Sequence, residues 1–105
     1  PVYVRKGDDL VVEVPVTFAE AALGAKIDVP TLDGKVKITV PAGSQDGRTL
    51  RVPGKGAPKL NGSGNGSLLA KLRLTVPSSL SDAQADALRA FADLDQADPR
   101  ERLFR

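Results

Sequence analysis

Three features of this 105-residue chain carry side chains that could do chemistry: Asp8-Asp9, Gly54-Lys55-Gly56, and the run Asn61-Gly62-Ser63-Gly64-Asn65-Gly66. Paired carboxylates do acid–base work when they face each other across a cleft in contrasting environments. Adjacent residues in a turn point apart and stay hydrated, so Asp8-Asp9 reads as a turn. Lys55 could reach a ligand, but nothing in sequence pairs with it, and a solvated cation in a turn is the plainer reading. The glycine run could cradle phosphate. It lacks a GK[ST] ending and leads into a strand, not a helix, so it reads as a flexible loop. The chain has no cysteine and no histidine. That removes thiolate chemistry, the Ser-His-Asp triad, the commonest general base and most zinc sites. The remaining Ser, Lys and Asp residues show no spacing suited to a hydrolase. No catalytic residues are assigned, and the chain is read as non-enzymatic.

Charge offers one rival reading. The formal net charge is +2 and the isoelectric point about 9.2. Lys35, Lys37, Arg48 and Arg51 could form the footprint of a basic β-rich nucleic-acid module, which would bind with a steep salt dependence. Against it, cations and anions are interleaved along the chain. With three Phe, one Tyr and no Trp, platforms for stacking bases are few. No apolar run approaches the ~20 residues that span a bilayer. A signal peptide is not expected. Pro1-Val2-Tyr3-Val4 reads as mid-protein sequence. The missing cysteines fit a reducing compartment, and a cytoplasmic location is expected.

The elements that must position any site follow from periodicity. Val2 and Val4 alternate with Tyr3 and Arg5, a short strand. Gly7-Asp8-Asp9 is a turn signal. Leu10, Val12, Val14 and Val16 recur with period two, a second strand. Pro15 cannot donate to a ladder, which places this strand at an edge or ends its partner there. Thr17-Phe18-Ala19-Glu20 has capping-box spacing and predicts a short helix over 18–23, stopped by Gly24. Ile27 and Val29 mark a third strand, Asp33-Gly34 a tight turn, and Val36, Ile38 and Val40 a fourth strand with one dry and one largely cationic face. Leu50 and Val52 form a short strand, and residues 53–66 a glycine-rich loop without regular structure. Leu68, Ala70, Leu72, Leu74 and Val76 are the apolar set of a long last strand.

Pro77 ends the sheet. Ser81-Asp82-Ala83-Gln84 repeats the capping-box spacing and predicts a helix over about 82–94, with Ala87, Leu88, Phe91 and Leu94 on one stripe. That stripe has two open readings: it packs on its own sheet, or on a partner chain. Pro99 disfavours helix at Asp98, and residues 95–105 are expected to fray, although Leu103-Phe104 is an apolar pair in need of cover. The expected fold is mostly β: a small antiparallel β-sandwich or twisted sheet with a short inserted helix and a C-terminal helix.

One stretch is specific enough to carry a family resemblance. Residues 21–36, Ala21-Ala22-Leu23-Gly24-Ala25-Lys26-Ile27-Asp28-Val29-Pro30-Thr31-Leu32-Asp33-Gly34-Lys35-Val36, resemble the second C-terminal β-domain of DnaJ-type (forty-kilodalton heat-shock) co-chaperones. The resemblance continues through Gly7-Asp8-Asp9-Leu10 with Glu13-Val14-Pro15-Val16, through 40–47 and 51–56, and into Pro77-Ser78-Ser79-Leu80-Ser81. It covers the chain from Val2 to about Leu94. One departure is Gly66-Ser67-Leu68, where the family often has Gly-Asp-Leu.

The resemblance implies a client-binding β-domain over 1–77 and a helix and tail over 78–105 that form a homodimer. It implies a parent protein that holds unfolded clients and passes them to a DnaK-type ATPase chaperone. Without a His-Pro-Asp motif this chain would not stimulate that ATPase in the family's way. Without CxxCxGxG repeats it would hold no zinc, and no cofactor is expected here; zinc in the parent would belong to a cysteine-rich domain absent from this chain. Unfolded clients offer apolar side chains and free backbone, and a sheet edge lined by Val and Ile is complementary to both. Val12, Val14, Ile27 and Val29 are therefore the groove candidates. Leu88, Phe91 and Leu94, helped by Leu103 and Phe104, are the dimer candidates.

Overall fold

The computed structural model describes residues 3–95 and 97–104. Strands β1 (Tyr3–Lys6) and β2 (Asp9–Thr17) lead into helix α1 (Phe18–Leu23). Strands β3 (Ala25–Thr31), β4 (Gly34–Val40), β5 (Thr49–Val52) and β6 (Leu68–Thr75) follow, then helix α2 (Asp82–Leu94) and a single 3-10 turn, Glu101–Phe104. The fold is mostly β, as expected. Within 95–105, where fraying was expected, residues Glu101–Phe104 form the 3-10 turn. Val2, expected in the first strand, lies outside the described residues.

A four-stranded sheet has the order β1-β2-β6-β5, and β3-β4 form a separate two-stranded sheet. Three of the four pairings are antiparallel. The central pairing of β2 with β6 is parallel, in register from Leu10↔Leu68 to Thr17↔Thr75. The strands thus pair mostly, but not wholly, antiparallel. The reason is topological: half the chain separates the two strands, so nothing forces the reversal that a tight turn imposes.

Period-two patterning places the core. Leu10, Val12, Val14 and Val16 of β2 turn inward, as do Leu68, Ala70 and Leu72 of β6. Val29 of β3 with Ile38 and Val40 of β4 close the same cluster from the other sheet, with Ala21 of α1 and Ala57 of the loop. Leu68 and Leu72 are fully buried, and truncating either to Ala should cost about 2–5 kcal/mol. The core ends before the last strand does. Leu74 is partly exposed and Val76 lies bare beyond the strand, so the last two members of that apolar set are not core residues.

Pro15 sits where its missing N–H does no harm. The Leu10 amide donates to Ser67 O at 2.9 Å, so even-numbered residues of β2 face β6 and Pro15 faces the other side. There the described pairing with β1 reaches only Val12. Of the two situations expected for Pro15, the partner stopping short is the one found.

The turns follow local chemistry. The Thr31 hydroxyl donates to Asp33 Oδ1 at 3.0 Å inside the β3–β4 turn, and Gly34 takes the positive φ. Both helices carry complete capping boxes. The Glu20 amide donates to Thr17 Oγ1, and the Thr17 amide to Glu20 Oε1. The Gln84 amide donates to Ser81 Oγ, and the Ser81 amide to Gln84 Oε1. Such caps stabilise a helix end by about 1 kcal/mol.

The loop from 53 to 66 is more ordered than its composition suggests. Pro58 and Asn65 form an isolated antiparallel bridge. Gly56 and Gly66 allow close backbone contact: a Cβ on Gly66 would fall on the Asp8 carbonyl, and one on Gly56 on the Ser67 backbone.

Candidate interaction surface

Two surfaces of the molecule are apolar where solvent could be expected to select polar residues. The first is α2. None of its residues is buried. Leu88, Phe91 and Leu94 share a stripe, with Leu94 79% and Phe91 49% exposed. Leu103 and Phe104 of the 3-10 turn are also largely exposed. The radius of gyration is 17.6 Å, against about 13 Å for a compact chain of this length, consistent with a terminal helix that is not folded into the β-core.

Within its own chain the stripe is partly covered, Leu88 being 42% exposed. Phe91 meets Phe18 of α1 edge-on, with ring centroids 5.7 Å apart and planes at 76°. Phe91 thus touches the chain's own α1, and Leu94 is left exposed.

The second surface is a shallow groove of about 210 Å³ beside that contact. Phe18, Ala21 and Ala22 of α1, Gly43, Ser44 and Gln45 of the loop after β4, and Leu74 of β6 line it. Each element is held there by hydrogen bonds. The Gly43 and Ser44 amides donate to the Ala22 and Ala21 carbonyls, which satisfies the end of α1. The Leu74 amide donates to Asp46 Oδ1 at 2.9 Å, which fixes the loop against β6. Buried Ala21 forms the floor, and the exposed Phe18 and Leu74 the apolar rim.

The four residues proposed for a client groove do not come together on the surface. Val12 and Val14 of β2 and Val29 of β3 are core, with Val12 only 2% exposed. Period two marks a dry face but not whose contact dries it; here the second sheet does. Ile27 alone keeps accessible surface, packed at the margin of the core. The sequence reading has Phe18 only in a capping box and Leu74 only in a strand, and neither as a site residue. The available signal for Phe18 was an aromatic at the first position of a helix otherwise built from Ala, Glu and Leu.

The charged residues form local networks. Lys35 and Lys37 both reach Asp28, at 3.6 and 3.3 Å, so two of the four cations behind the nucleic-acid reading share one carboxylate. The Lys37 hydrogen bond and charge hold the Asp28 carboxyl below its ordinary range. Arg51 Nε donates to Ser67 Oγ at 2.9 Å. Across β2 and β6, Arg73 bonds Glu13 at 3.1 Å and lies 3.9 Å from Asp46. That bond and charge lower the Glu13 pKa and raise that of Arg73. Among the described residues no cluster of three or more acidic side chains is arranged to hold a metal ion. Among them, too, no helix is long and apolar enough to cross a membrane.

The fold and these surfaces define a β-domain that presents apolar patches. Comparison with known proteins identifies its kind. The family model described as DnaJ C terminal domain matches residues 1–77. Chaperone protein DnaJ of Ruminiclostridium cellulolyticum is 50% identical over 101 residues, covering 96% of this chain and 27% of the relative. Chaperone protein DnaJ 2 of Mycolicibacterium paratuberculosis is 53% identical over 102 residues, covering 94% and 26%. Chaperone protein DnaJ of Halothermothrix orenii is 45% identical over 105 residues, covering 98% and 28%. The chain belongs to the DnaJ C-terminal domain family. It spans about a quarter of the length of the relatives it matches.

Proposed function

We propose that this chain is the client-holding and dimerising end of a DnaJ-type co-chaperone whose full-length form passes unfolded proteins to a DnaK-type ATPase in the cytoplasm. Residues 1–77 hold clients and residues 78–105 join two copies. The chain does this by binding, without catalysis and without a cofactor of its own. The observation that carries the reading is the exposed stripe of Leu88, Phe91 and Leu94 on a fully capped helix. A stable helix with an uncovered apolar face is built for a partner.

Client contact is assigned to the groove rimmed by Phe18 and Leu74, with Ile27 at the margin of the β3–β4 sheet. Val12, Val14 and Val29 act from beneath as the rigid support. An unfolded segment would lay apolar side chains on the alanine floor. One shallow groove gives weak affinity, and two arms joined through α2 raise it by avidity.

A fluorescently labelled, permanently unfolded polypeptide tests this assignment. Anisotropy titrations should give binding that falls severalfold in Leu74→Glu, while the circular dichroism of the variant stays native. Unchanged client binding in Leu74→Glu would remove the groove from the proposal.

A further inference from the structure

The chain contains two asparagines, Asn61 and Asn65, and both precede glycine in the same loop. Asn-Gly is the sequence most open to spontaneous deamidation, because glycine leaves the following amide sterically free to attack the side chain. By sequence the two sites are equivalent. The structure separates them.

Asn61 lies on the exposed turn of the loop, next to Leu60, which is 92% exposed. Its Oδ1 accepts two hydrogen bonds from Ser63, from the amide at 3.0 Å and from the hydroxyl at 2.6 Å. Two donors on a carbonyl oxygen polarise the carbon that is to be attacked. They also stabilise the negative charge that develops on that oxygen, as in an oxyanion hole. The attacking amide of Gly62 donates to Lys59 O at 3.0 Å, a bond on an open turn that local fraying releases.

Asn65 is held in the opposite way. Its Nδ2, the group that must leave, donates to Gly56 O at 3.1 Å. The Gly66 amide, the nucleophile, donates to Ala57 O at 2.8 Å. Gly66 itself is buried against the Asp8 backbone, with no space to rotate. Reaction there requires the base of the loop to detach from β2.

We propose that Asn61 is a site of spontaneous deamidation in the folded protein and that Asn65 is protected by the fold. The Gly62 nitrogen attacks Asn61 Cγ and forms a new N–Cγ bond. The Cγ–Nδ2 bond breaks, and Nδ2 leaves as ammonia with the proton lost by Gly62. Water then opens the succinimide at either carbonyl to give aspartate or isoaspartate. No oxidant or reductant is involved. Each event lowers the formal net charge from +2 to +1, because a neutral amide becomes a carboxylate. The tip of the loop then carries an anion beside Lys59 and Leu60, a record of the protein's age on an exposed apolar knuckle.

Prolonged incubation of the folded chain at mildly alkaline pH tests the proposal. Tryptic peptide mass spectrometry then follows Leu60–Lys71, which holds both asparagines. Conversion at Asn61 should outrun that at Asn65 by about tenfold or more, the discrimination that a modest local opening energy supplies. In concentrated urea the two should convert at similar rates. Equal rates in the folded chain, faster reaction at Asn65, or no reaction at either site while both react in urea would overturn the proposal. Ser63→Ala, an exposed substitution that removes the hydroxyl donor and keeps the amide, should slow Asn61 conversion severalfold; an unchanged rate would refute the role given to the Ser63 hydroxyl.

Discussion

The Asp9 carboxylate accepts a hydrogen bond from the Ser67 amide at 2.8 Å, across a separation of 58 residues. This bond joins the start of β2 to the start of β6. Around it the Ala57 amide donates to Asp8 O, the Leu10 amide to Ser67 O, and the Gly56 amide to Gly66 O. The acidic pair near the N-terminus is thus a latch that sets the register of the one parallel pairing in the sheet. Asp9→Ala leaves the buried Ser67 amide without its acceptor. The expected loss of stability is about 1–3 kcal/mol by urea denaturation, the usual penalty for stranding such a donor. A loss within experimental error would mean that the latch does not fix the register.

Gly66 tests the same junction from the other side. Gly66→Ala should be the more damaging of two glycine substitutions, because its Cβ would meet the Asp8 backbone, which cannot swing aside. Gly43→Ala meets only open space and costs about 1 kcal/mol through its positive φ of 79°. Thermal melts of both variants should therefore rank Gly66→Ala well below Gly43→Ala. The reverse order would contradict the close approach.

The link between Phe18 and Phe91 is the intramolecular half of the α2 surface. A double-mutant cycle with Phe18→Leu and Phe91→Leu should give a coupling energy of about 0.5–1.5 kcal/mol, typical of an edge-to-face aromatic pair. Zero coupling would place α2 free of the domain.

Stability should fall on the acid side partly through Glu13. Its folded pKa lies below the ordinary 4.5 because of the Arg73 hydrogen bond and charge. The sign follows from linkage: a carboxylate with a lowered folded pKa stabilises the fold above its unfolded pKa. That contribution is lost as pH falls through the folded value. Glu13→Gln should flatten the acid limb of a melting-temperature profile, and added salt should shrink the difference because the pair is exposed. An acid limb identical to the parent's would show that the Glu13–Arg73 pair does not contribute.

Much of this molecule was readable from local rules. The boundaries of α1 and α2 follow from two capping boxes, since Thr17, Glu20, Ser81 and Gln84 act within one turn of themselves. The β3–β4 hairpin follows from Asp33-Gly34 and flanking alternation. The relations that were not readable are long-range. Period two in β2 gives a dry face, but nothing in it states that Val12 and Val14 would be covered by the chain's own second sheet. The parallel register of β2 with β6 depends on Asp9 and Ser67, and neither residue signals the other in sequence. Phe18 and Leu74 come together through the same long-range pairing, so the groove was hidden while its components were in plain view. The α2 stripe was legible as a stripe, and its cover was not, because amphipathicity does not name the partner.

The central claim is that α2 joins two copies. Light scattering over a concentration series tests it directly, with Leu94→Asp as the matched variant because Leu94 is the most exposed member of the stripe on α2. The account predicts a mass near 22 kDa, twice the 11.0 kDa of one chain, and a shift toward 11.0 kDa in Leu94→Asp with an unchanged melting temperature. A mass that stays at 11.0 kDa at every concentration, or a dimer that survives Leu94→Asp intact, would contradict it.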